Sequence, residues 1–236
     1  MSVQKTLTTL VGSSSHLQTK YQLNESKIIT FIGIPGSGKS SVAREMSKRL
    51  KNGVLMEEIA ETAANKGFEV ADRASIGTET WFLTQYYTRG AEAQKLVNEG
   101  KIVIMDGNYA NSLAFGFANF VNSNNPSFFM HFPSYIVNKA VGTLVNPDVY
   151  IVFKISLEES VKRQEKRGRE ELKTKSVQVI KDVDRFYKLF FSILEPEIPV
   201  FEVDAEQPFE EVIKDVQDIL KNKLKLNFVS LKDFTK

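Results

Sequence analysis

The segment Gly33-Ile34-Pro35-Gly36-Ser37-Gly38-Lys39-Ser40 sets three glycines, a lysine and a hydroxyl in the spacing G-x-x-x-x-G-K-[ST]. That spacing suits one chemistry above others. Glycines let successive backbone N–H groups turn inward onto phosphate oxygens, and the start of a following helix adds the positive end of its dipole. Lys39 supplies a full charge for the β- and γ-phosphates, and Ser40 is placed to hold Mg²⁺ through its hydroxyl. Gly33, Pro35, Gly36, Ser37, Gly38, Lys39, Ser40 and Ser41 are therefore the expected ATP-binding set. The pattern predicts grip on a triphosphate; hydrolysis, transfer and switching all remain open to it.

Acids and arginines elsewhere decide among these. Asp106 ends the apolar run Ile102-Val103-Ile104-Met105, where a carboxylate could orient Mg²⁺ or one of its waters, although Asp-Gly is also an ordinary turn pair. Glu57 and Glu58 follow Val54-Leu55-Met56, and either could take a proton from an acceptor hydroxyl or simply face a helix N-terminus. Arg163, Lys166, Arg167 and Arg169 cluster around Gly168. A glycine hinge between arginines predicts a segment that closes over phosphates and stabilises charge in the transition state.

These residues need elements to hold them. Lys27 to Ile32 is short, β-branched and ends at the glycine-rich segment, so it reads as a buried strand. Val42, Met46 and Leu50 then recur at helical spacing from Gly38 to about Lys51, with Gly53 as the stop. Further strands are expected at 54–56, 102–105, 149–155 and 200–203, with a long helix from Gly77-Thr78 to Gly100 between the second and third. Strands alternating with helices of this length imply parallel pairing with both faces covered, and ligands outside the carboxyl ends of the strands. The aromatic residues Trp81, Phe82, Tyr86 and Tyr87 could stack on a base, but at this spacing the expectation is core. The stretch 122–134 reads as a surface loop and an inserted element.

Composition excludes several classes. The 236 residues contain no cysteine, which removes disulfide frameworks and Cys-ligated metal modules. A net charge of +2 advertises neither nucleic acid nor an anionic membrane, and no apolar run approaches a membrane span or a secretory signal. The expectation is a soluble cytoplasmic protein with a mobile tail over 1–26, one domain over 27–222 and a Lys-rich tail over 223–236.

The ordered set of P-loop, Phe82-Leu83-Thr84-Gln85-Tyr86-Tyr87-Thr88-Arg89, Lys101 to Asp106 with Tyr109, Ser112, Ala114 and Phe115, Pro147-Asp148, the 163–169 cluster and Pro199 to Asp204 resembles the thymidylate kinase and deoxynucleoside kinase superfamily. The resemblance covers 27 to about 220. It implies a three-layer P-loop NTPase fold: an α/β architecture with a five-stranded parallel sheet in the order 2-3-1-4-5, helices on both faces and a short lid bearing Arg163, Arg167 and Arg169. It also implies transfer of the γ-phosphoryl group of ATP, with Mg²⁺, to a nucleoside or nucleoside monophosphate. Gln85 matches the position that reads the base, Arg89 a substrate-side arginine, Glu57 or Glu58 the strand-end base, and Tyr109 falls among the substrate contacts. Members commonly pair, so a homodimer is implied too. One departure is plain: Gly107 stands where the family usually has arginine, which opens the acceptor to non-nucleotide compounds. Competing with this reading is a nucleotide switch, which needs no acceptor pocket.

Overall fold

The computed structural model describes residues 26–59, 76–121, 144–166, 175–194 and 198–229. Five strands alternate with helices: β1 (Ile28–Ile32), α1 (Lys39–Arg49), β2 (Gly53–Met56), α2 (Ile76–Asn98), β3 (Ile102–Asp106), α3 (Tyr109–Val121), β4 (Val149–Lys154), α4 (Leu157–Lys166), α5 (Lys175–Leu194), β5 (Val200–Asp204) and α6 (Phe209–Asp218). A π-helical turn, Ile219–Lys223, follows α6.

All four strand pairings are parallel, and the order is β2-β3-β1-β4-β5. This is the order the sequence resemblance implied. Every position of β1 and of β3 is buried, as expected of strands covered on both faces. Period-two alternation then divides their side chains between two layers. Ile29, Phe31, Ile102, Ile104, Val149, Ile151 and Phe153 pack with Val42, Ala43 and Met46 of α1 and with Val212, Ile213 and Val216 of α6. Tyr150 and Ile32 face the other way, onto Leu83 and Tyr86 of α2, Leu113 of α3, and Val183, Tyr187 and Phe190 of α5.

Element boundaries moved where local turn chemistry overrode periodicity. Helix α1 stops at Arg49, and Asn52, at φ +63°, makes the reversal, so Gly53 begins β2 instead of ending the helix. The 20-residue α5 was not among the sequence expectations, although Ile180, Val183, Tyr187 and Phe190 recur every three to four positions and are all buried. Phe82 and Tyr86 are core, as their spacing predicted, whereas Tyr87 is exposed. At the far end of α1, Leu226 is buried and Phe228 pairs with Leu50 in an antiparallel bridge, so 224–229 lies against the body of the protein. Residues 1–25 of the expected tail 1–26, the insertion 122–134 and residues 230–236 lie outside the described residues.

The layering makes a stability prediction. Ile104 is fully buried at the centre of β3, between strands on both sides and under α1. Ile104→Ala should cost about 2–5 kcal/mol, from lost transfer energy plus a cavity. Urea denaturation reads this directly, and a loss below about 1 kcal/mol would contradict the central placement of β3.

Candidate active site

Strand β1 delivers the chain into a tight loop whose conformation only glycine adopts readily. Gly36 and Gly38 both sit at φ +84°, and a side chain at Gly36 would also meet the carbonyl oxygen of Ser160 at 2.9 Å. Gly38 is the N-cap of α1 and offers no side-chain cap, while the first turn of α1 carries no acid. The helix start is thus left without an internal anion and suits an external one. Ser40 is half-buried, Ser41 exposed, and the buried Ser37 hydroxyl sits over Gly33.

The loop is braced from outside. Ser160 of α4 donates a 2.6 Å hydrogen bond to the carbonyl of Pro35, and Gln164, one turn on, reaches the same oxygen at 3.4 Å. Both side chains are buried. Sequence reasoning passed over them, because a serine and a glutamine on a basic helix carry no signal of a contact more than a hundred residues back.

Parallel register brings the acids to the loop. Phe31 is level with Asp106 across β1 and β3, and Met56 is level with Met105 across β2 and β3. Glu57 and Glu58 therefore leave β2 beside Asp106. Lys39 Nζ donates to Glu58 Oε2 at 3.1 Å and lies 3.8 Å from Asp106 Oδ1. Side-chain exposures of 10% for Lys39, 19% for Glu58 and 4% for Asp106 put this triad largely out of water. Glu57 turns outward at 56% side-chain exposure and accepts from Arg44 at 3.3 Å. The two glutamates, interchangeable in the sequence, occupy different environments.

From α2, Arg89 donates through Nη2 to the backbone carbonyl of Glu57. Burial pulls its guanidinium below the ordinary value, while Tyr86, Glu92, Asp106 and Glu58 hold it up. Gln85 lies one turn before Arg89 on α2 and is half-buried. Tyr109 is buried at the start of α3; its hydroxyl donates to Asn146, and burial raises it to about 12.

Asn111 is a member of this cluster that the sequence did not single out. Its Nδ2 donates to Glu58 Oε1 at 3.4 Å, and its Oδ1 accepts from Tyr187 at 3.3 Å. Burial first, and then the Glu58 carboxylate, push the Tyr187 phenol well above its ordinary value, so the hydroxyl stays a donor. A side chain at Gly107, which sits at φ +77°, would meet Asn111 Nδ2 at 2.4 Å.

The expected lid residues divide. Arg163 is anchored on α4: Nε donates to Glu159 at 2.8 Å and Nη1 to the carbonyl of Ala205, after β5, at 2.9 Å. Arg167 and Arg169 lie outside the described residues. Ser40 and Asp106 offer a hydroxyl and a carboxylate oxygen, the hard donors that suit Mg²⁺. Among the described residues no three His, Cys, Asp or Glu form a metal cage, and Mg²⁺ beside phosphates needs none, since phosphate oxygens and waters complete its shell. Nor is any described helix long and apolar enough to cross a membrane.

Solved structures share this fold. A deoxyadenosine kinase from M. mycoides, solved with the products dCMP and a flexible dCDP bound, matches at TM-score 0.67 and 22% identity, over 83% of this chain and 99% of that one. The same enzyme with bound dATP gives TM-score 0.68 at 21% identity, over the same shares of both chains. A thymidylate kinase from Candida albicans gives 0.61 at 18%, over 87% and 98%. Identities this low show the shared fold. Comparison with curated proteins returns no match. The sequence model of the family described as Thymidylate kinase aligns with residues 31–216, from the end of β1 into α6, and thus spans P-loop, strand-end acids and Arg163 together. With most of its length so matched, the chain belongs to the thymidylate kinase family of phosphotransferases.

Proposed function

We propose that this protein is an ATP- and Mg²⁺-dependent kinase that transfers the γ-phosphoryl group to a nucleoside or a nucleoside monophosphate. The observation that carries the reading is Lys39, at the end of the glycine loop, held against Glu58 and Asp106 at the ends of β2 and β3. A phosphate-binding ammonium and a proton-accepting carboxylate within 3.1 Å bring donor and acceptor chemistry to one point. The nucleotides dCMP, dCDP and dATP bound to the deoxyadenosine kinase from M. mycoides support a nucleotide-related acceptor.

Roles follow from environment. The amides of the loop and the start of α1 grip the triphosphate, and Lys39 turns to its β- and γ-phosphates. Ser40 and Asp106 would hold Mg²⁺, which would supply charge neutralisation to the phosphates. Glu58 is the base: it is shielded from water and faces the end of the loop, whereas Glu57 is turned outward to Arg44. Gln85 and Arg89 form the α2 wall of the acceptor pocket, with Tyr109 supporting it from within the core. Arg163, tied to the loop after β5, holds the root of a lid that includes Arg167 and Arg169. In the transfer step the acceptor oxygen bonds to the γ-phosphorus as its bond to the β–γ bridging oxygen breaks. ADP departs, and the acceptor's proton passes to Glu58.

Two variant sets test this. Lys39→Ala should lower kcat by about 10²–10³-fold with the far-ultraviolet circular dichroism unchanged; wild-type turnover would remove the P-loop assignment. Glu58→Gln should lower kcat by about 10²–10⁴-fold and Glu57→Gln by less than about threefold. The reverse ranking, read from initial rates of ADP formation, would move the base to Glu57.

A further inference from the structure

The glycine loop opens with a turn that has two ways to lie. Ser37 donates its amide to the carbonyl of Ile34 at 3.2 Å and closes Ile34-Pro35-Gly36-Ser37, with proline second and glycine third at φ +84°. That is the type II pattern, which differs from type I in the way the peptide between the two central residues faces. Proline suits the second position of both types, and glycine is free to adopt either sign of φ. Local sequence therefore permits both, and the surroundings decide.

The peptide that decides the turn joins Pro35 to Gly36. It is trans and planar, so its C=O and its N–H point in opposite directions. Helix α4 holds the carbonyl, to which the Ser160 hydroxyl donates at 2.6 Å. Gln164 Nε2 reaches the same oxygen at 3.4 Å, Ser160 Oγ at 3.2 Å and the Ser160 carbonyl at 3.3 Å. By donating to Ser160 Oγ it occupies a lone pair and leaves the hydroxyl proton to Pro35. Both side chains are buried, so neither has water to turn to instead. With the carbonyl held toward α4, the Gly36 amide faces away from α4, into the loop. A flipped peptide would aim an oxygen at an incoming phosphate and turn the amide out.

We propose that Ser160, oriented by Gln164, is a positioning residue for the phosphate donor: it fixes the Pro35–Gly36 peptide so that the Gly36 amide is aimed at the phosphates before they arrive. The inference rests on the glycine loop gripping a triphosphate, as the kinase reading requires, and adds a residue that acts through the loop. Preorganisation of this kind benefits the free protein. Once phosphates are seated, their own bonds to the amides hold the peptide. Losing Ser160 therefore weakens donor binding and leaves turnover nearly intact. The loss of one such hydrogen bond corresponds to about tenfold in affinity.

The test uses the full chain and AMP-PNP, a non-hydrolysable ATP analogue, with Mg²⁺. Its Kd, read by calorimetry well below the melting temperature, should rise about tenfold in Ser160→Ala and about threefold in Gln164→Met. Ser160→Thr, which keeps the hydroxyl, should stay within about threefold of wild type. The double variant Ser160→Ala, Gln164→Met should lose less than the product of the two single losses, because both act on one carbonyl; the full product or more would remove Gln164 from the proposal. In steady-state assays of Ser160→Ala, KM for ATP should rise with the Kd while kcat and the KM of the acceptor stay within about threefold. An unchanged Kd in Ser160→Ala, or a Ser160→Thr as weak as Ser160→Ala, would overturn the inference and leave the kinase reading standing. So would a rise in the acceptor KM equal to that for ATP, since general loosening moves both. A wild-type chain that does not bind AMP-PNP would overturn the P-loop assignment itself.

Discussion

One buried ammonium between two carboxylates governs the site. Removing Lys39, Glu58 and Asp106 from water costs several kcal/mol per ion before they attract one another, and leaving any one of them alone there would be worse. Lys39 set against both carboxylates is therefore a solution that requires all three to arrive together, from α1, from the end of β2 and from the end of β3. Within this triad one cation, Lys39, faces two carboxylates. An incoming polyphosphate satisfies that cation better than the carboxylates do, because it offers several oxygens and the helix start behind them.

The sheet order makes the meeting possible. Because β3 lies between β1 and β2, its last residue, Asp106, is flanked by the exits of both neighbours. The amide of Gly107 still bonds to the carbonyl of Phe31, which carries the pairing one step past the strand and fixes the carboxylate beside the loop. The helices enforce the arrangement from two sides. Met46 and Val42 of α1 press on the face of β1 that carries Phe31, while α5 packs Tyr187 and Phe190 beneath Tyr150 on the other face. A shift of one residue in any pairing would turn every one of these side chains to the wrong layer.

Much of this was legible in the chain because its signals are local. A glycine-rich turn between a β-branched run and a helical period announces its conformation, and strand ends are marked by the acid that follows an apolar run. Topology came through resemblance, not periodicity. What stayed hidden depends on contacts between distant segments. Glu57 and Glu58 are adjacent in sequence, and only pleat and register decide that one meets Lys39 while the other meets Arg44. Asn111 carries no signal of its own; its place follows from the absence of a side chain at Gly107, four positions earlier, and from a tyrosine 76 positions later. Arg163 belongs to a basic cluster in the sequence, yet its guanidinium is directed at Glu159 and at Ala205, the latter a contact that only the closeness of α4 to β5 creates.

Helix α4 joins these parts. Its buried side, Ser160 and Gln164, fixes the carbonyl of Pro35 and so the curvature of the phosphate loop. Its Arg163, between those two in sequence, holds the chain leaving β5. The amide of Ser156, just before the helix, binds Glu206 in that same exit at 2.7 Å, so the connection is made at both ends of the first two turns. A short helix that fixes the glycine loop with neutral hydrogen bonds and the β5 exit with charged ones keeps the two in fixed relation. Neutral contacts are the better choice beside the loop, since a charge there would compete with the phosphate for the same amides. The loop can then stay open and internally uncapped without collapsing, and the helix start is preorganised for an anion before any arrives.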